Sequence, residues 1–476
     1  MRVRCPILVL LAALSARGDV IYLKNGRTIW ADSVREIRNR EDPHKDRVEY
    51  DVGEDTYTIP KSSVDHIDSG ETPPARPGAG AGSEIPSFTP PLAGLNSAAD
   101  LNEKIIHDGK VDTEALAALA KSDDPAFAAS LYFLAGKHES DQGNFSRAKR
   151  YFDSALRFQP DNATLLIYYA ASLMRTGEAA QALPYAQRAA RLSPESPDAL
   201  AMLGFAQFAT DHTGDAIRSW RHSLALRPDA KLNQYLERAE RESQAESNFS
   251  QRETGHFSLH FEGKETTEDL RRNLLATLDS DYDDLVRDLG YSPHDSIVVT
   301  LYTQQAFFDV TRAPSWSGAI NDGKLRIPVS GVQNVTPDLA RVLKHELTHS
   351  FIAQMSSGRC PTWLNEGIAQ LEEGRSSGSN GHALAQLFGA GAEIPFNMLE
   401  GPFLNFSEPE ANTAYAESLA ATEYIRDTYG LEDIQRILER LAQGSATEAA
   451  LRATIRSDYR ELQDELTQWL AEKYGR

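Results

Sequence analysis

Pro160, Pro194 and Pro228 stand thirty-four residues apart, and so do Ala148, Ala182 and Ala216. Gly143 and Gly177 share that spacing, and Gly136 and Gly204 are separated by twice it. Tyr132, Leu166 and Leu200 hold one register, as do Phe152 and Trp220. A period of this length accommodates two helices and their turns. Small Ala and Gly let paired helices approach, and Pro ends the second helix of each pair because it cannot continue the hydrogen-bond ladder. An unrelated helical bundle would not keep five positions in register, so the stretch 98–246 is predicted to stack as a solenoid. Repeats are placed at about 129–162, 163–196 and 197–230, with a less regular helical pair at 98–126 capping one end and a helix at 231–246 capping the other.

Thirty-four residues is the tetratricopeptide period, which implies a surface for protein recognition. The rest of the chain is different in kind. Residues 1–18 resemble an export signal: Arg2 and Arg4, then the short apolar run Pro6–Leu14, then the small residues Ala13, Ser15, Ala16 and Gly18. That run is too short to span a bilayer, and no later segment is long enough either, so an exported protein, periplasmic or extracellular, without a membrane span is expected. Cys5 lies in the signal, which leaves Cys360 as the one remaining cysteine and excludes an intramolecular disulfide. Residues 19–68 read as a small antiparallel β module, with Val20–Leu23, Arg47–Val52 and Thr56–Ile59 as strands and Asn25-Gly26 as a hairpin turn. Residues 69–97, crowded with Pro and Gly, read as an extended linker. The net charge of −20, without a basic cluster of any size, argues against nucleic acid as a partner.

Chemistry concentrates at 336–373. Thr336-Pro337 reads as a helix N-cap and first turn, and Leu339, Val342, Leu343, Leu347 and Phe351 recur at helical spacing. On that helix His345 and His349 are one turn apart on one face, which suits two neutral imidazoles on a single Zn²⁺. Glu346 is rotated off that face, where a general base for the attacking water belongs. Ser356-Ser357-Gly358 can end the helix and Pro361 can open a second one. The second helix can run back and bring Glu366 to the histidines as a third ligand, with Glu372 or Glu373 as the alternatives to it, giving one Zn²⁺ per chain. Cys360 reads as a small residue in the turn between them, since nothing nearby suggests an activated thiolate.

His345-Glu346-x-x-His349 followed by Trp363-Leu364-Asn365-Glu366-Gly367 resembles the gluzincin metallopeptidases. The second motif is similar to that of the aminopeptidase N family. The closer likeness is to the peptidase MA-like domains of bacterial secreted proteins, often joined to tetratricopeptide repeats. It covers roughly residues 250–430. The resemblance implies His345, His349 and Glu366 as zinc ligands and Glu346 as catalytic base. Two departures stand out: His349 and Glu366 are separated by 16 residues, fewer than in the aminopeptidases, and no Gly-x-Met-Glu-Asn stretch occurs, so recognition of a free N-terminus is not implied. Similar domains carry a Tyr in a helix where Tyr415 stands, which makes Tyr415 the candidate donor to the oxyanion, with His382 as a weaker one. They also hold substrate on an edge strand before the HExxH helix, here 323–327, with Pro328 consistent with an edge.

The expected architecture is thus multidomain: a small β module, an α-helical solenoid at 98–246, and an α+β zincin-like metallopeptidase domain at 249–476 with a helical C-terminal part. Within the last, His256–Phe261, Ser296–Tyr302 and Leu325–Val329 read as strands and Thr267–Leu289 as a helix closed by Gly290. Gly430 and Gly444 are expected to break the C-terminal helices, and Ser445 with Glu448 reads as a capping box. The Ser/Gly-rich stretch 374–381 is expected to form a mobile flap. The lobe from about 249 carries its own strands and helices and is expected to fold alone. The function expected is a zinc endopeptidase-like hydrolase acting on proteins or peptides outside the cytoplasm, with the repeats recruiting substrate or a protein partner. The alternative is a catalytically silent repeat scaffold in the cell envelope.

Overall fold

A computed structural model describes residues 18–24, 28–31, 33–37, 47–52, 55–61, 64–71, 99–107, 109–311, 319–321, 323–329, 332–403 and 406–475. The export signal, apart from Gly18, lies outside them, as do the Asn25-Gly26 turn and nearly all of the 69–97 linker. The chain forms two compact units, Met1–Gly78 and Ala79–Arg476.

The first unit holds strands β1 (Gly18–Leu23), β2 (Thr28–Ala31), β3 (Ser33–Ile37), β4 (Arg47–Val52), β5 (Asp55–Pro60) and β6 (Val64–Glu71). They make two antiparallel sheets, ordered β2-β1-β6 and β3-β4-β5. Ile21, buried on the central strand, sits opposite Ile29 and Ile67, and Val48 and Tyr50 are buried on β4. This is the small antiparallel β module read from the strand-like runs at Val20–Leu23, Arg47–Val52 and Thr56–Ile59.

The second unit opens with α1 (Ala99–Ile105), a short hairpin β7 (Ile106–His107) and β8 (Lys110–Val111), and α2 (Thr113–Leu119). The solenoid follows: α3 (Pro125–Asp141) with α4 (Phe145–Phe158), α5 (Ala163–Arg175) with α6 (Ala179–Leu192), α7 (Pro197–Ala209) with α8 (Thr213–Leu226), then α9 (Ala230–Ala245). The second helices begin at 145, 179 and 213, so the sequence period is the structural period. The packing explains which positions repeat. A Cβ at Gly136 would lie 2.7 Å from the Phe152 ring, and one at Gly204 would lie 2.3 Å from the Trp220 ring. In the middle repeat the same two positions are Ala170 and Ala186, both fully buried. Glycine stands where the partner helix carries Phe or Trp, and the middle repeat carries buried alanine at both positions.

The turn inside each repeat adopts a left-handed conformation, with φ of 76° at Gly143, 76° at Gly177 and 64° at Asp211. All three turns touch the remainder of the unit. The Gly143 carbonyl oxygen accepts from the Arg359 guanidinium at 2.9 Å, and a Cβ at Gly177 would sit 3.0 Å from Gln354 Cγ. Asp211, which has a side chain where the others have none, accepts a hydrogen bond from Lys324 Nζ at 2.8 Å and lies 2.8 Å from His260 Nε2.

The remainder is a mixed sheet with helices. It comprises β9 (Ser250–Glu253), β10 (Phe257–Phe261), α10 (Glu268–Leu289), β11 (Ile297–Tyr302), α11 (Gln304–Thr311), β12 (Ile320–Asn321) and β13 (Leu325–Pro328). Six helices follow: α12 (Pro337–Met355), α13 (Thr362–Glu372), α14 (Gly381–Gly389), α15 (Glu408–Tyr429), α16 (Leu431–Ala442) and α17 (Thr447–Ile455), and α18 (Tyr459–Tyr474) closes the fold. The sheet order is β12-β13-β11-β10-β9, parallel from β13 to β10 and antiparallel at both margins. Thr267 caps α10 and Gly290 ends it at φ 63°, as read. Gly430 and Gly444 break the C-terminal helices at φ 98° and 96°.

Several expectations are corrected. Strand 325–328 is not the sheet margin: β12 pairs outside it, Ile320 opposite Arg326 and Asn321 opposite Leu325. Arg326 is fully desolvated and salt-bridged, so the Pro that suggested an edge marks only the strand's end. The 374–381 stretch is not a free flap. Ser377 is buried and its N–H donates to Glu423 Oε2 at 2.7 Å, while Gly381 lies against the Tyr474 ring. Ser445 does not cap α17; Ala446 does, and Glu448 instead accepts from the Tyr459 N–H at 3.0 Å. The capping boxes are Ser407 with Glu410 and Asp458 with Glu461. The helix α9 packs on α8 at the end of the solenoid and also reaches the sheet. Its Glu242 is fully buried and binds Lys324 at 2.6 Å and Arg326 at 2.7 Å, which ties the solenoid into the sheet.

Candidate metal centre

The site is built on α12 and α13. Thr336 Oγ1 accepts from the Leu339 N–H at 3.2 Å and starts α12 with Pro337 in its first turn. Leu343, Leu347 and Phe351 bury the inner face, which leaves His345 and His349 together on another, their ring centroids 4.8 Å apart. Ser357 and Gly358 then take positive φ, 52° and 70°, and Pro361 starts α13.

That reversal delivers Glu366. Its Oε2 is 3.4 Å from His345 Nε2 and its Oε1 is 3.9 Å from His349 Nε2. One ligand atom from each of the three lies within 4.8 Å of the others, the one such group among the described residues. The opposite ring nitrogens are anchored. His345 Nδ1 lies 3.3 Å from Glu373 Oε1 and His349 Nδ1 lies 3.0 Å from Asn365 Oδ1. With an acceptor at each Nδ1, that atom carries the proton and the Nε2 lone pair faces the gap. Glu366 Oε2 is buried without a hydrogen-bond partner. Two imidazole lone pairs and an unsatisfied carboxylate oxygen around one gap fit a divalent cation of borderline softness such as Zn²⁺.

The electrostatics agree. Burial opposes charge on His345, but the carboxylates of Glu366 and Glu373 outweigh it and push its pKa up to about 10. The same carboxylates that hold a proton there are placed to hold a cation in its stead. Burial also works against ionised Glu366, yet His349 and His345 keep its pKa below the ordinary value. Glu346 differs: burial raises its pKa against the pull of His349 and His345, as suits a proton acceptor and donor.

Gly367 explains the residue after the ligand. A Cβ there would lie 2.0 Å from Thr422 Oγ1 and 2.4 Å from the Ser418 carbonyl oxygen, so only glycine lets α13 approach α15 this closely. Gln370 Nε2 adds a hydrogen bond to the Tyr415 carbonyl at 2.9 Å. Tyr415 is thereby brought near the site. Burial, then the negative charges of Glu366 and Glu346, raise its pKa and keep the hydroxyl protonated. Phe403 packs edge-on against its ring at 5.3 Å.

Other candidates lie elsewhere. His382 bonds to the Tyr474 carbonyl at 2.9 Å, on the C-terminal helix. Cys360 is buried, its thiol pKa pushed well up by desolvation, so it stays neutral and unreactive. Glu372 sits in the field of Asp288, Lys344 and Asp284, and burial raises its pKa to about 7. Sequence reasoning had Glu373 only as an alternative ligand, not as the support behind His345, and missed Asn365 and Asn321 as parts of the site. Asn365 was legible as the neighbour of Glu366. Asn321 donates to the Glu346 carbonyl at 2.7 Å and to Ser350 Oγ at 2.6 Å, from a strand too short to read.

Residues 282–472 match the model of the Peptidase MA superfamily. Comparison with curated proteins finds no match. Solved structures similar to part of the chain include the first TPR domain of human RPAP3, with 21% identity, 25% of this chain and 95% of that chain covered, and a TM-score of 0.24. The TPR domain of Arabidopsis OM64 shares 19% identity over 24% of this chain and 93% of its own, with a TM-score of 0.23. MamA of Desulfovibrio magneticus RS-1 shares 21% identity over 28% and 75%, with a TM-score of 0.25. The repeat assignment rests on the helix pairs themselves, whose period and interlocking Gly and aromatic residues are described above.

Proposed function

We propose that this chain, whose residues 282–472 form a Peptidase MA superfamily domain, is a zinc-dependent endopeptidase acting on proteins or peptides. The observation that carries the reading is the convergence of His345, His349 and Glu366 within 4.8 Å, with both imidazoles held from behind.

His345, His349 and Glu366 are the ligands. A zinc ion held there supplies Lewis acidity toward the scissile carbonyl and toward water. Glu346 takes the proton of the attacking water and passes it to the leaving amine, a role its raised pKa supports. The Tyr415 hydroxyl, kept protonated, donates a hydrogen bond to the oxyanion as it develops. Glu373 and Asn365 orient the rings. An extended substrate lies along the sheet margin at β12, which Asn321 fixes to α12.

Protein recruitment by the repeats completes the reading. Their intra-repeat turns are occupied by the catalytic part. The opposite ends of α4, α6 and α8 expose Phe158, Leu192 and Leu226 in one register, which supports an apolar stretch of an unfolded protein substrate as the occupant. The basic-then-apolar pattern at 1–18 supports export.

The test is incubation of the full chain with denatured protein, with and without a chelator, and mass spectrometry of new termini. Internal cleavages that vanish with the chelator and return with zinc are expected. No new termini in the zinc-loaded protein would overturn the proposal.

A further inference from the structure

We propose that the repeat stack positions the substrate-binding margin of the catalytic sheet, with Asp211 and Glu242 acting as positioning residues through Lys324 and Arg326. The proposal rests on the peptidase reading for the meaning of that margin, and on geometry alone for the positioning.

The hairpin formed by β12 and β13 is small. β13 pairs with β11 along its four residues, but β12 pairs with β13 through only two, Ile320 and Asn321, too few to hold the margin by their own ladder. What holds it comes from both sides. On one side Asn321 bonds to the Glu346 carbonyl and Ser350 Oγ of α12. On the other, Lys324 and Arg326 are 5% and 1% exposed, and their counter-charges come from the repeats. Asp211 of the third repeat's turn and Glu242 of α9 take Lys324 at 2.8 and 2.6 Å, and Glu242 takes Arg326 at 2.7 Å. Arg326 NH1 also donates to Tyr302 Oη at 2.7 Å, and Tyr302 bonds in turn to Glu246 at the C-cap of α9. Two cations this deeply buried are tolerated only beside their partners. The Lys324–Arg326 segment, and β12 paired to it, therefore depend on α9 and the third turn as well as on the β11 ladder. An extended peptide added to β12 must present its carbonyl at a fixed distance from Glu346, so a margin that drifts weakens productive binding before it alters the chemistry. The third repeat differs from the other two in placing Asp211 where they have glycine, and this is the position that reaches the hairpin.

The test is Asp211→Asn in the full-length, zinc-loaded chain. Asn also tolerates the left-handed conformation, so the turn survives while the charge is lost. Amide hydrogen exchange across 320–327 is expected to quicken by roughly tenfold while 297–301, which Asp211 does not contact, is unchanged. KM for an unstructured ten-residue peptide is expected to rise by roughly fivefold to tenfold with kcat within about twofold. A merely structural role would lower the amount of active enzyme, and so the apparent kcat, and leave KM alone. Unchanged exchange across 320–327, or unchanged KM with lowered kcat, overturns the proposal. Should the wild-type chain cleave no peptide, the peptidase reading fails and the exchange measurement still decides the positioning. Lys324→Met combined with Asp211→Asn removes the cation with its partner, and recovery of slow exchange in that pair would support the route through Lys324.

Discussion

Gly367→Ala tests how the ligand helix is held. The added methyl would meet Thr422 Oγ1 at 2.0 Å and the Ser418 carbonyl oxygen at 2.4 Å, while real Cβ contacts hardly ever fall below 3.0 Å. Thr422 can rotate, but Ser418 contributes backbone inside α15, so the two helices must part by roughly 1 Å. Overpacking of this kind costs about 1–3 kcal/mol, and the upper end applies where backbone must move. In a chain of this size, with an unfolding entropy of about 2.1 cal/mol/K per residue, about 3 kcal/mol lowers Tm by about 3 °C. Glu366 is the adjacent residue, so its carboxylate moves with the helix, and zinc affinity is expected to fall by about tenfold to a hundredfold, the range seen when ligand support is lost. Thermal melts and zinc titration against a competing chelator read both effects. Adding Thr422→Ala relieves one contact and leaves the other, so the double variant is expected to recover only part of the loss, with a coupling energy of about 0.5–3 kcal/mol. A Gly367→Ala protein with wild-type Tm and zinc affinity would refute the claim that close approach to α15 sets the position of Glu366.

Glu366→Ala is expected to abolish tight zinc binding, read by metal analysis after gel filtration; undiminished zinc would remove Glu366 from the ligand set. Glu373→Gln keeps an acceptor behind His345 but not the charge, and is expected to lower zinc affinity by about tenfold; unchanged affinity would make Glu373 a bystander. Deleting residues 98–246 strands Lys324 and Arg326 without Glu242 and Asp211. Breaking a buried pair costs about 3–5 kcal/mol, so a truncated chain without a cooperative melt is expected, and one that melts cooperatively with one zinc bound would contradict this. His260 has its pKa raised to about 9, because Asp211 and Glu246 outweigh burial. The raised folded-state value means its contribution is complete below about 6.5 and lost as pH rises through about 9. Tm is therefore expected to fall more steeply between those values in the wild type than in His260→Gln, and parallel curves would refute it.

Much of the fold was legible because its signals are periodic or local. The repeats announce themselves through Gly, Ala and Pro at fixed intervals, since each interval solves the same packing problem. The gap in the pattern at Ala170 and Ala186 is itself physical: smaller residues on both helices compensate one another. The cluster of His345, His349 and Glu366 was legible because i and i+4 on a helix bring two imidazoles together, and because a reversal at Ser357-Gly358 can carry Glu366 back to them. What was illegible depends on distance in the chain. Lys324 and Arg326 look like surface residues of an edge strand until Glu242, some eighty positions earlier, is found against them. The Ser/Gly-rich 374–381 stretch looks mobile until Glu423 and Tyr474 are seen to fasten it. Glu373 looks like one acid among several, and its place behind His345 follows only from the way α13 crosses α12.

The central claim is that His345, His349 and Glu366 form a hydrolytic metal centre served by Glu346. The most direct measurement compares wild type and Glu346→Gln at equal zinc content on an unstructured ten-residue peptide. The glutamine amide leaves the ligands in place but cannot accept the water's proton. One zinc per chain in both proteins is expected, with kcat/KM in the variant lower by about a thousandfold or more. Equal zinc with undiminished cleavage would contradict the account.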